Sequence, residues 1–116
     1  MSNTQDLEML ELQIEEAKKK VSRKDALVRL ENNPDFKELI AKGFMEQHAI
    51  RQVMLKAHPG MQSEATQKML DQQIMAIGGF KQFLLNVYTE GMNAEVAIAS
   101  DEETREELLK EELTNG

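Results

Sequence analysis

Between residues 63 and 100 the apolar positions recur at helical spacing. Leu70, Ile74, Ile77, Phe80, Leu84, Val87, Tyr88 and Ile98 are separated largely by steps of three and four. Such steps line side chains along one face of an α-helix. The pattern predicts one long helix, capped by Ser63 and running to about Ser100, of about 55 Å at 1.5 Å per residue. An apolar stripe of that length must be covered by other elements or by another chain.

A second stripe opens the chain. Leu7, Leu10, Ile14, Ala17 and Val21 alternate by three and four, which predicts a helical seam from about Gln5. Glu15 with Lys19 and Glu16 with Lys20 are spaced as i,i+4 ion pairs. Ser22-Arg23-Lys24-Asp25 resembles a capping box, so the spacing fits either one helix to Asn32 or a break near Ser22. Both termini, residues 1–4 and 114–116, read as frayed.

Asn32-Asn33-Pro34 ends the first helix, because a residue before proline is pushed out of the α region. Asn33 caps the next helix, with Pro34 at its first position. Phe36, Leu39 and Ile40 are expected on its buried face, and Gly43 as its stop. A further helical stretch from Phe44 to Ala57 follows, separate from the first or continuous with it through Gly43. His58-Pro59-Gly60 is a turn. Gly78-Gly79, which costs a helix about 1 kcal/mol per glycine, suggests close approach of another helix or a kink. Gly91 suggests the same, or an early stop. Ser100-Asp101-Glu102-Glu103 has the form of a capping box and predicts a separate acidic helix over 101–113.

The expected fold is therefore all-α: a long hairpin of antiparallel N- and C-terminal helices with two short helices between them. Residues 1–100 form the single domain and 101–116 an acidic helical tail. The core and interface positions are Leu7, Leu10, Ile14, Phe36, Leu39, Ile40, Phe44, Leu70, Ile74, Ile77, Gly78, Phe80, Leu84 and Val87. A leftover apolar stripe implies self-association, most simply as a homodimer.

Composition narrows the chemistry. The 116 residues include no cysteine, which removes disulfides, thiolate metal sites and thiol catalysis. Aromatic residues are 4% of the chain, too few for an aromatic-rich interior. No apolar run approaches the length of a membrane span, and the polar, acidic start lacks the pattern of a secretory signal. The net charge is −7. Residues 101–116 carry seven acidic and two basic side chains, so the tail holds most of the imbalance and general attraction to nucleic acid is not expected.

Five basic residues in seven, Lys18, Lys19, Lys20, Arg23 and Lys24, are the one candidate phosphate contact. The simpler reading is a solvated helix face partly paired with acids. No interleaved aromatics offer a stacking platform. His48 and His58 lack metal-site spacing, and no serine or threonine has a base and an orienting partner in pattern. The expectation is a protein with no enzyme activity, cofactor or metal.

The run Asn33-Pro34-Asp35-Phe36-Lys37-x-Leu39-Ile40, then Gly43-Phe44, Ala49-x-Arg51, a Pro59 turn, Ile77-Gly78-x-Phe80-x-x-Phe83-Leu84 and Ala94-Glu95 resembles a group of small helical proteins of tailed bacteriophages, often encoded near head and portal genes. The likeness covers roughly residues 30–98. It implies a phage origin, a place in the host cytoplasm or virion, and a role as virion component or assembly factor. Its partners would be itself and another phage or host protein. It assigns no catalytic or ligand-binding residue. A second possibility is an acidic phage effector that binds and inhibits a host protein through the tail.

Overall fold

A computed structural model describes residues 2–115; Met1 and Gly116, at the ends read as frayed, lie outside the described residues. The protein is all-α. Helix accounts for 95% of it and no strand occurs among the described residues. The long N-terminal helix packs against the long C-terminal helix, with a shorter helical segment between them.

The N-terminal helix, Ser2–Glu31, is unbroken. Ser22 neither stops nor restarts it. The physical reason is that the seam continues across Ser22: Val21 and Lys24 are half-buried and Leu27 is buried. A break there would expose both sides of the stripe. The charged face pairs at shorter spacing than expected. Lys18 meets Glu15 at 4.0 Å and Lys19 meets Glu16 at 3.2 Å, in place of the Glu15–Lys19 and Glu16–Lys20 pairs.

Asn33 caps the middle helix as its sequence predicts. Its side-chain oxygen accepts from the backbone N–H groups of Asp35 (2.9 Å) and Phe36 (3.1 Å), and Pro34 fills the first position. The helix then runs continuously over 34–56. Lys37–His48 is wound as a π-helix, flanked by α-helical Pro34–Phe36 and Ala49–Lys56. Two expectations are corrected here. Gly43 is not a stop: a glycine terminator needs the left-handed conformation, and no described glycine has positive φ. Leu39 is not on the buried face and stands 68% exposed. A helix closed by i→i+5 bonds holds more than four residues per turn. Steps of four then stay aligned, so Phe36, Ile40, Phe44 and His48 are all part-covered, while a step of three rotates Leu39 outward. A Cβ on Gly43 would stand 3.1 Å from the carbonyl oxygen of Glu38, five residues back. The missing side chain thus suits the wider winding.

The turn at His58-Pro59-Gly60 is a short 3-10 segment, Pro59–Met61. His58 Nδ1 accepts from the Gly60 N–H at 3.0 Å. Gln62 and Gln67 tie the turn down. The Gln62 amide donates to the carbonyls of Lys56 and His58, both at 2.8 Å, and the Gln67 amide donates to those of Lys56 (3.0 Å) and Met61 (2.8 Å).

The C-terminal helix starts where expected, with Ser63 Oγ accepting from the Thr66 N–H at 3.2 Å. It does not end at Ser100. One helix runs Glu64–Asn115, and the capping box is unused: the Thr104 hydroxyl instead donates to the Ser100 carbonyl at 3.1 Å, inside a continuing helix. Packing explains the override. Covered positions along this helix keep a seven-residue repeat: Leu70, Ile77, Leu84, Gly91, Ile98 and Arg105 on one row, and Val87, Ala94, Asp101 and Leu108 on the other. Stopping at Ser100 would expose the last turns of that seam.

Two compact units result, residues 1–26 with 87–116, and residues 27–86. The expected boundary at 100 is therefore replaced, since 101–116 belongs with the first unit. In that unit the helices run antiparallel. Lys24 meets Glu95, while Asp6 and Leu10 share a groove with Thr104 and Leu108. Ile14, Ala17, Val87 and Ala94 form its core. In the second unit Leu27, Leu70 and Ile77 are buried. Phe44 packs edge-on against Phe80 (centroids 6.0 Å apart, planes at 82°), His48 stacks on Phe44 (5.9 Å, 17°) and Lys56 pairs with Asp71.

Gly78 and Gly79 do not interrupt the helix and admit no close neighbour. Both are exposed, and a Cβ on either meets nothing within 4 Å. Gly78 is thus corrected from a core position to a surface one. Gly78→Ala and Gly79→Ala are each expected to stabilise the protein by about 1 kcal/mol, since alanine restricts the unfolded chain and favours helix. A thermal melt that fails to rise with either change would indicate a contact at that face.

Candidate functional site

The most unusual surface lies at the end of the middle helix, over Ala49–Lys56. This amphipathic stretch is turned inside out. Ile50, Val53, Met54 and Ala57 occupy positions i, i+3, i+4 and i+7, one continuous stripe. An ordinary surface helix presents such a stripe to the core. Here Ile50, Val53 and Met54 are between 53% and 68% exposed, and the residue on the opposite side, Gln52, is 5% exposed.

Gln52 makes the inversion costly. Its Oε1 is buried and has no hydrogen-bond partner among the described residues. An amide removed from water without a partner is unfavourable. Gln52→Met keeps the length and removes the orphaned oxygen, so it should raise stability by about 1 kcal/mol, read from the midpoint of urea unfolding. An unchanged or lower midpoint would mean that the amide is solvated.

Charge completes this ridge. Arg51 flanks the apolar stripe on one side and Lys56 on the other, and 49–57 contains no acidic residue. Lys56 is paired with Asp71. Arg51 makes no ion pair among the described residues.

The first unit carries a complementary feature, a groove of about 620 Å³. Ala17, Ala94 and Ala97 line it, so small side chains leave the space open. Its charged lining residues are Glu16, Glu90, Asp101 and Lys20, an acidic balance.

Beside this groove lies a polar position in the seam. Lys24 occupies a row otherwise filled by apolar or small residues, and a Cβ on Gly91 would collide with the Lys24 stem. Gly91 therefore provides the room in which Lys24 packs. The Lys24 ammonium donates to Glu95 and lies 3.9 Å from Asp25. Donating to the Glu95 carboxylate raises its pKa, opposed by desolvation and reinforced by the charges of Glu95 and Asp25. A raised folded-state pKa gives stability that is complete below the ordinary 10.5 and is lost as pH climbs through the higher folded value. Replacing Lys24 with methionine should flatten the alkaline limb of stability above pH 10.5, measured by urea unfolding. An unchanged limb would place the pair outside the folded state's energetics.

The candidate residues are distributed as follows. Ile14, Leu70, Ile77 and Val87 are buried; Leu7, Leu10, Phe36, Ile40, Phe44, Ile74 and Leu84 are half-buried. Phe80 sits at the margin of exposure against Phe44. The basic cluster divides. Lys18 and Lys19 are exposed and beside acids, Lys20 lines the groove and Arg23 is exposed. Lys24 is withdrawn into the seam, which corrects its reading as a phosphate contact. Ile50, Val53 and Met54 are not evident as a surface from the sequence. Their spacing was visible, but nothing local indicates which way a stripe faces.

Among the described residues no group of three His, Asp or Glu side chains could hold a metal ion. No helix among them is long and apolar enough to cross a membrane. The chain matches no protein-family model, no curated protein and no solved structure.

Proposed function

We propose that this chain is a non-enzymatic protein of phage origin that acts by protein–protein contact, as a virion component or assembly factor in the host cytoplasm or the particle. The observation that carries the contact role is the exposed Ile50–Val53–Met54 ridge over a buried, unpartnered Gln52. Apolar area arranged as a helical stripe and left in water is characteristic of a surface that another protein covers. The phage setting and assembly role rest on the sequence resemblance over residues 30–98. The partners in this reading are the chain itself and another phage or host protein, with neither nucleic acid nor membrane involved.

Mass spectrometry of purified particles and of assembly intermediates tests this. The chain should appear at a fixed copy number per particle or per intermediate. Absence from both would remove the assembly role.

A second reading, an acidic effector against a host protein, has one feature in its favour. The last turns of the C-terminal helix expose Leu109 and Leu113 among Glu106, Glu107, Glu111 and Glu112. Deleting 101–116 would also remove part of the first unit, so neutralisation is the cleaner test. Changing those four glutamates to glutamine should abolish capture of a host partner if this reading holds, and should leave assembly contacts intact if the first does.

A further inference from the structure

We infer that the 49–57 ridge of one chain seats in the alanine-floored groove of a second copy. This rests on the protein-contact reading above and names the partner.

The ridge has the form of a helix-in-groove ligand, with anchors Ile50, Val53, Met54 and Ala57 at i, i+3, i+4 and i+7. The groove has the matching form. It is an open trough of about 620 Å³, and a helix docks along such a trough rather than inside a closed pocket. Ala17, Ala94 and Ala97 leave room for the branched anchors.

Charge selects this pairing over the alternatives. Lys56 is held by Asp71 and Glu16 by Lys19, which leaves Arg51 beside the ridge and Glu90 and Asp101 against Lys20 in the groove. Ridge and groove therefore attract. Two ridges meeting across a twofold axis would set Arg51 of one chain near Arg51 of the other, and like charges at a contact are penalised. The whole chain carries −7, so copies repel at long range. Arg51, beside the ridge, is where that repulsion is locally reversed. Each copy offers both a ridge and a groove, so the contact is heterologous, joining different surfaces of two identical chains.

The absence of cysteine makes the contact directly testable. Val53→Cys and Ala97→Cys are prepared as separate full-length chains, both changes falling at exposed positions. Mixed and oxidised, they should form the Val53→Cys/Ala97→Cys disulfide heterodimer in preference to either homodimer. Val53→Asp should weaken self-association about thirtyfold by sedimentation equilibrium, as expected for loss of a central anchor. Arg51→Glu should weaken it too, and adding Glu90→Arg to that variant should restore it. Circular dichroism of each variant confirms that it remains helical. Predominant Val53→Cys homodimers, or a monomer at all micromolar concentrations, overturns the inference. A monomer still found in particles leaves the proposed function standing. The predicted cross-link in a chain absent from particles and intermediates removes that function and leaves the dimer.

Discussion

Leu70→Ala is expected to cost about 3 kcal/mol of stability, while Met75→Ala, five residues along the same helix, stays within about 0.5 kcal/mol. Leu70 is 1% exposed and Met75 is 72% exposed. Removing three carbons from a closed site loses their transfer free energy and leaves a cavity that neighbouring helices fill only in part. At Met75 water replaces the lost atoms. The comparison is read from urea midpoints at constant slope. Equal shifts in the two variants would mean that the row through Leu70, Ile77 and Leu84 is not the packed face of this helix.

Gly91→Leu is the second large effect, with an expected loss of about 3 kcal/mol. Its sign is the reverse of that at Gly78 and Gly79, although alanine and leucine are better helix formers than glycine at all three places. The difference lies across the seam. A Cβ at Gly91 falls on the Lys24 stem, whereas one at Gly78 or Gly79 meets open solvent. If Lys24 is the obstacle, Lys24→Gly, which removes the nearest atom, its Cβ, as well as the stem beyond it, should recover a large part of the loss in the Gly91→Leu background. A double variant no better than Gly91→Leu alone would show that the helices approach there for another reason. The cycle isolates this pair because each single change removes or blocks the same volume.

Local signals in the chain were reliable where the chemistry is local. Asn33-Pro34 and Ser63 cap helices because a side-chain oxygen has only to reach backbone groups two or three residues on. The same logic misleads at Ser100. Its capping box is as good in letters as any in the chain, but Arg105 continues one covered row and Asp101 and Leu108 the other, and burial outweighs a cap worth about 1 kcal/mol. Gly43 misleads for a different reason: the winding changes to i→i+5 around it, and that change also turned Leu39 outward. Lys24 reads as one charge among five until Gly91, sixty-seven residues away, is seen to make room for it. The candidate surface was the least legible part. A stripe announces that one face of a helix is apolar, and only the neighbours decide whether that face points in or out.

The division into units bears on how the protein is made. Residues 27–86 form an uninterrupted stretch, whereas the other unit joins 1–26 to 87–116. On a ribosome the inner stretch can mature as soon as it emerges, while the opening helix waits with half its seam bare. Early ordering of the inner stretch would shorten the loop that later has to be closed, and so lower the entropic barrier to bringing the ends together. Translation that halts before residue 87 would therefore release a chain whose first helix has no mate, a species prone to clump and dependent on chaperones for its solubility.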